Sequence, residues 1–145
     1  MKSVYFDSSV IISSMLSASG GSAALTSLVR SKTIRGIITE TIIDEVLVKA
    51  DKIGVSKTEI KQYIAEHSFL VRRALSQQDI RPVLNQMLDA RDAHVLAGAL
   101  LTNAQYLVSL DKKHILHPDI KRHFPQLIIL TPGEFLQHIL ADQEK

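Results

Sequence analysis

Cysteine and tryptophan are both missing from the 145-residue chain. Without cysteine there is no disulfide, no thiolate zinc site and no cysteine nucleophile, so any metal must sit on oxygen or imidazole. Oxygen ligands favour magnesium or manganese. Aromatic residues make up only 5%, which leaves little material for a base-stacking platform of the kind single-strand binding modules use. No apolar stretch approaches the ~20 residues needed to cross a bilayer, and Asp7 with the serines after it interrupts Val4-Tyr5-Phe6 before signal-peptide length is reached. The expectation is a cytoplasmic protein with no membrane segment. Excess charge is scarce as well: a net +2 does not establish nucleic-acid binding, although a mildly basic surface around an acidic pocket would suit a phosphodiester.

What is present is an ordinary globular composition, 46% hydrophobic and 22% charged, which excludes disordered and fibrous classes. A chain this long buries about two thirds of its unfolded surface, and no repeat or linker divides it, so one domain over 1–145 is expected. Val4-Tyr5-Phe6 is a β-prone run ending at Asp7, and Ser8 to Ile12 reads as strand running into a helical turn. Ser22 caps a helix carrying Ala24, Leu25, Leu28 and Val29, and Arg35-Gly36-Ile37-Ile38 is a second strand with Thr39 as its turn. Ile42, Ile43, Val46, Leu47, Ala50 and Ile53 recur at helical spacing from Glu40 until Gly54. Ser56-Lys57-Thr58-Glu59 is a capping box for a helix with Ile60, Ile64, Val71 and Leu75 inward. Ile80 to Val83 reads as extended because of Pro82. Asp89 to Asn103 reads as a helix apolar around most of its circumference, hence buried. Tyr106 to Ser109 is a strand ending near Asp111, Leu127 to Leu130 another, and Thr131-Pro132-Gly133-Glu134 caps a C-terminal helix.

Strands alternating with helices imply an α/β fold, a three-layer α/β/α sandwich around a parallel sheet. Ligands in such sheets bind beyond the strands' carboxyl ends, where strand order reverses. Asp7 and Asp111 fall beside that edge, and Glu45 and Asp92 stand in helices that can reach it. Carboxylates ~4 Å apart repel by several kcal/mol at an effective dielectric near 20, so such a cluster takes up protons or binds a cation. A hard divalent ion is the usual solution, and it turns a pocket that repels phosphate into one that attracts it.

The motifs resemble, in order, those of the PIN domain family, metal-dependent ribonucleases that include the VapC-like toxins. Asp7 at the end of the first strand, followed by Ser8 and further small polar and aliphatic residues, is similar to the opening motif. Ile37-Ile38-Thr39 with Glu45 resembles the strand, hydroxyl residue and helix glutamate of the second. Asp89-Ala90-Arg91-Asp92-Ala93-His94-Val95-Leu96-Ala97 resembles the third, whose second aspartate matches Asp92. Leu107-Val108-Ser109-Leu110-Asp111 resembles the fourth, and Leu130 to Leu136 a common closing segment. The resemblance implies hydrolysis of RNA, with Asp7, Asp92 and Asp111 coordinating Mg2+ or Mn2+ and Glu45 helping to hold the metal or its attacking water. It further implies an antitoxin protein as partner and a homodimer. Many members carry another acid where this chain has Lys113, so a second ion would be weakly held or absent until substrate brings phosphate oxygens.

Each residue also has a plainer account. Asp89 caps a helix, with a role beside the metal as the alternative. Glu45 would be an i, i+4 partner of Lys49, with Asp44 or Glu40 as the acid instead. Asp7 and Asp111 would merely begin loops. Ser109 reads as a hydrogen-bonding support for Asp111 rather than a nucleophile. His94, His114, His117 and His123 match no helical ligand pair, which argues against zinc. Lys112 and Lys113 track an RNA backbone or form a solvated face. Three rival functions remain. A haloacid-dehalogenase-type phosphatase wants an aspartate where Ser9 stands. A receiver wants paired acids before its first helix. A degenerate PIN scaffold would only bind partners.

Overall fold

The computed structural model describes residues 1–143. Its frame is a sheet of parallel strands in the order β3-β2-β1-β4-β5, formed by β1 (Ser3–Phe6), β2 (Arg35–Thr39), β3 (Leu70–Arg72), β4 (Tyr106–Val108) and β5 (Ile128–Leu130). The chain starts in the middle, steps outward through β2 and β3, then returns to the other side of β1 with β4. The order therefore reverses between β1 and β4, and a crevice opens beyond their carboxyl ends. In register, Tyr5 lies between Ile37 and Leu107, and Phe6 beside Val108. Val4, Tyr5, Phe6, Ile38, Leu107 and Val108 are wholly buried, as strands covered on both faces must be. Burial of each large side chain contributes about 1.5–3 kcal/mol.

Helices cover both faces of the sheet, giving the expected three layers. They are α1 (Ser8–Leu16), α2 (Gly21–Arg30), α3 (Glu40–Val48), α4 (Ala50–Ile53), α5 (Lys57–Glu66), α6 (Gln77–Ile80), α7 (Ala93–Leu101), α8 (Pro118–His123) and α9 (Pro132–Gln143). Packing joins α2 to α1 and α9, α3 to α1 and α5, and α7 to α6. Ala93, Val95, Leu96, Ala97 and Ala99 of α7 are all buried, which accords with an apolar circumference. Gly98 in the same helix lets it approach β1: an added Cβ would stand 2.1 Å from the Tyr5 hydroxyl, which pairs with Thr39 Oγ1 at 2.9 Å. Among the described residues no single helix is long and apolar enough to cross a membrane.

Several local expectations require correction. Ser8 to Ile12 is helix from its first residue, because Asp7 in extended backbone ends the strand outright. The helix from Glu40 breaks at Lys49 into α3 and α4, with Gly54 in left-handed backbone closing the second. The helix after Ser56 stops at Glu66; Ser68 at φ 61° turns the chain, and Leu70–Arg72 becomes an exposed edge strand. Val71 and Leu75 thus belong to no inner helical face. Ile80 to Val83 is helical, since Ser76 and Asp79 form a capping box before α6, and Pro82 enters the 3-10 turn Arg81–Gln86 near its start, where an N–H is dispensable. The helix expected from Asp89 begins as a 3-10 turn, Ala90–Asp92, so Asp92 is the N-cap of α7. Helix α8 was not expected; His117 caps it by accepting from the Asp119 amide.

Candidate functional site

The fold delivers the acids to one rim. Asp7 leaves β1 where its amide donates to Val108 O at 3.1 Å, one step past the regular ladder. It occupies the N-cap position of α1 without making a side-chain cap bond, and its Oδ2 instead accepts from Ser109 Oγ at 2.7 Å and Ser9 Oγ at 3.1 Å. Both serines also receive backbone amides from the β4 exit: Asp111 N donates to Ser109 Oγ at 3.0 Å, and Leu110 N to Ser9 Oγ at 3.1 Å. Two hydroxyls therefore fasten the segment after β4 to the segment after β1. Ser109 is wholly buried and supports Asp7 directly, as well as Asp111 through its amide.

Burial pushes the Asp7 carboxyl above the usual range, the hydroxyl donors oppose this, and the charge of Glu45 adds to it. At Asp92 the carboxyl is pushed up to about 6, first by burial and then by the negative charges of Asp111 and Asp89, with His114 working the other way and Asp7 adding a further push. These influences place Asp7, Asp92 and Asp111 within one electrostatic neighbourhood. Glu45 of α3 adjoins it: the Ser8 hydroxyl donates to Oε1, and Oε2 lies 2.8 Å from His94 Nε2. Burial works against the Glu45 anion, but the hydrogen bonds from His94 and Ser8 outweigh it and hold the carboxyl below its ordinary range. The close partners of Glu45 are thus Ser8 and His94, and Lys49 acts on it only through its charge.

His114 was missed by the spacing argument. Its Nδ1 lies 3.2 Å from Asp111 Oδ2 and 3.6 Å from Asp92 Oδ2, and its amide donates to Asp111 Oδ1 at 3.1 Å. One ligand atom from each of Asp89, Asp92 and His114 falls within 4.8 Å of the others, a grouping able to hold a metal ion. No helical spacing reveals it, because a loop brings His114 back; its place soon after the fourth motif was the available signal. His94 lay inside the quoted third motif. His123 stands elsewhere, with Nδ1 3.2 Å from Gln86 O. Asp89 does cap the turn, accepting from Arg91 N at 2.9 Å, and its ion pair with the Arg91 guanidinium holds its carboxyl down to about 2. Lys112 and Lys113 are exposed.

Residues 3–113 match the family model for the PIN domain. The chain belongs to the PIN domain family. All four acids and their supporting serines lie inside the matched segment of this PIN domain. No curated protein matches the chain. Among solved structures, this PIN domain is similar to a toxin-antitoxin complex from Klebsiella pneumoniae, with a TM-score of 0.57 and 21% identity over 90% of this chain and 98% of that one. At that identity the likeness concerns the fold.

The donors fit a hard divalent cation. Asp7, Asp92 and Asp111 offer carboxylate oxygen, and a carboxyl held near 6 by burial and by the charges of its neighbours is one whose anion a cation would relieve. An oxygen-rich set with a single imidazole at its margin lacks the soft ligands of a structural zinc centre.

Proposed function

We propose that this PIN domain is a nuclease that hydrolyses RNA phosphodiester bonds with Mg2+ or Mn2+. The observation that carries the reading is the Asp92 carboxyl, pushed up to about 6 by burial and by the charges of Asp111 and Asp89, in an acidic grouping able to hold a metal ion. Asp7, Asp92 and Asp111 would hold the ion, with Glu45 behind Ser8 completing the set. Such an ion, when bound, polarises a phosphodiester and lowers the pKa of coordinated water. The chain's own part is positioning. Ser109 and Ser9 fix the Asp7 carboxylate, the Ser109 hydroxyl anchors the backbone that presents Asp111, and the N-cap of α7 presents Asp92. Lys112 and Lys113, exposed just past Asp111, meet the incoming phosphate backbone. Without a cation the carboxylates repel that backbone, so the ion is part of substrate binding.

The fold shared with a toxin-antitoxin complex supports a toxin role, with an antitoxin covering the acid rim and a homodimer as the working form. The protein is expected to act in the cytoplasm. The deciding assay is cleavage of single-stranded and structured RNA with and without Mg2+ or Mn2+. Cutting is expected only with the metal; cutting that persists in chelator removes this mechanism, and a chain that binds no divalent metal is a degenerate scaffold.

A further inference from the structure

His94 stands in the first turn of α7 and is only 9% exposed, flanked in sequence by Ala93, Val95 and Leu96, all buried. An imidazole in so apolar a helix has two ring nitrogens to place. Nε2 lies 2.8 Å from Glu45 Oε2, whereas Nδ1 is buried with no hydrogen-bond partner among the described residues. A carboxylate can only accept, so the proton that joins this pair belongs to Nε2. A proton on Nδ1 would be a buried donor without an acceptor, an arrangement native structures rarely contain. The Nε2–H therefore serves Glu45 as a hydrogen-bond donor, in a ring held in one orientation.

The other Glu45 oxygen accepts from Ser8. Ser8 opens α1 directly after Asp7, and His94 sits in α7 just after Asp92. Glu45 comes from α3, and its two donors tie it to the elements that carry those acids. Ser8 alone would leave the carboxylate free to swing about a single hydrogen bond; a donor on each oxygen fixes its plane. We infer that His94 is a positioning residue, an Nε2–H donor that works opposite Ser8 to hold the Glu45 carboxylate in one orientation beside Asp7. This rests on the metal-site reading above, in which Glu45 acts at the ion. Loss of a hydrogen-bonding support behind a metal ligand typically costs about 10–100-fold in metal affinity.

The test is calorimetric titration of Mn2+ into the full chain and its His94→Leu, His94→Gln and His94→Asn variants. The glutamine amide nitrogen reaches about as far as Nε2 and can donate to Glu45, whereas the asparagine nitrogen stands where Nδ1 does and falls short. His94→Leu and His94→Asn should weaken Mn2+ binding by about tenfold or more, and His94→Gln should restore most of it. Wild-type affinity in His94→Leu, or equal affinity in the Gln and Asn variants, overturns the inference. If His94→Leu fails to fold, the Gln and Asn pair decides. A second arm needs no metal: in chelator, the melting-temperature losses of His94→Asn and Glu45→Ala should be non-additive, since both remove one contact, and additive losses overturn the clamp. Absence of Mn2+ binding in the wild-type chain would instead sink the metal site, while the chelator arm still judges the clamp.

Discussion

Asp92 is a carboxyl whose surroundings penalise its charge. Its folded pKa of about 6 stands above the ordinary 3.8, so between those values the folded chain holds a proton that the unfolded chain has released. Stability must then fall as pH rises through that window. In chelator, Asp92→Asn should flatten this slope, leaving the part that the raised Asp7 carboxyl contributes, and melt at a higher temperature than wild type at pH 7.5; thermal melts of both proteins from pH 4 to 8 check it, and an Asp92→Asn slope equal to that of wild type contradicts it. The same substitution, like Asp7→Asn, should lower metal-dependent RNA cleavage by at least about 100-fold, the scale of losing a principal charge-stabilising group, with an unchanged circular dichroism spectrum. The places of both acids in the fold were legible in the sequence, because each stands at a strand end or helix start. His114 was not, since its approach to Asp92 and Asp111 depends on where a loop returns. His94 was visible but unassigned, because a contact with Glu45 across 49 positions leaves no periodic trace.

Helix α7 carries Asp92 at its N-cap and packs its Gly98 against Tyr5. Gly98→Ala should destabilise the protein by about 1–3 kcal/mol, the usual cost of overfilling a packed core, because a Cβ 2.1 Å from the Tyr5 hydroxyl must displace it from Thr39. Urea denaturation measures this; a neutral result would mean that α7 is free to shift. Elements with a clear period or cap were read correctly: β1, β2, β4, β5 and α9, the last with reciprocal Thr131 and Glu134 bonds at 3.0 and 3.1 Å, while α2 was found by its period but is capped at Gly20, with the expected cap Ser22 inside the helix. Elements held by tertiary pairing were not. Strand β3 lies at the sheet edge with Leu70, Val71 and Arg72 exposed, so it lacks the apolar alternation of a half-buried strand. Helices α6 and α8 are too short to display a period and depend on their caps.

For the whole molecule, the buried residues of every strand except β3 join one hydrophobic cluster with those of α1, α2, α3, α5, α7, α8 and α9. The chain is therefore expected to unfold as one unit, with tertiary and secondary signals melting together. An ion that binds only the folded state adds stability by mass action, about 2.7 kcal/mol at a hundredfold excess over its dissociation constant. Mn2+ should raise the melting temperature of wild type and leave Asp7→Asn unchanged; equal shifts in both would place the ion elsewhere.

By itself the sequence determined the alternation of strands and helices, the absence of thiolate ligands and the order of the acids, because apolar periods, caps and residue types are local properties. The tertiary structure decided which groups meet. Only the strand order β3-β2-β1-β4-β5 sets the exits of β1 and β4 side by side, so that Ser109 can bridge Asp7 and Asp111, while His94 reaches Glu45 and His114 reaches Asp92 across long stretches of chain. Those contacts are fixed by how helices pack on a closed core, and side-chain spacing along the chain carries no record of that packing.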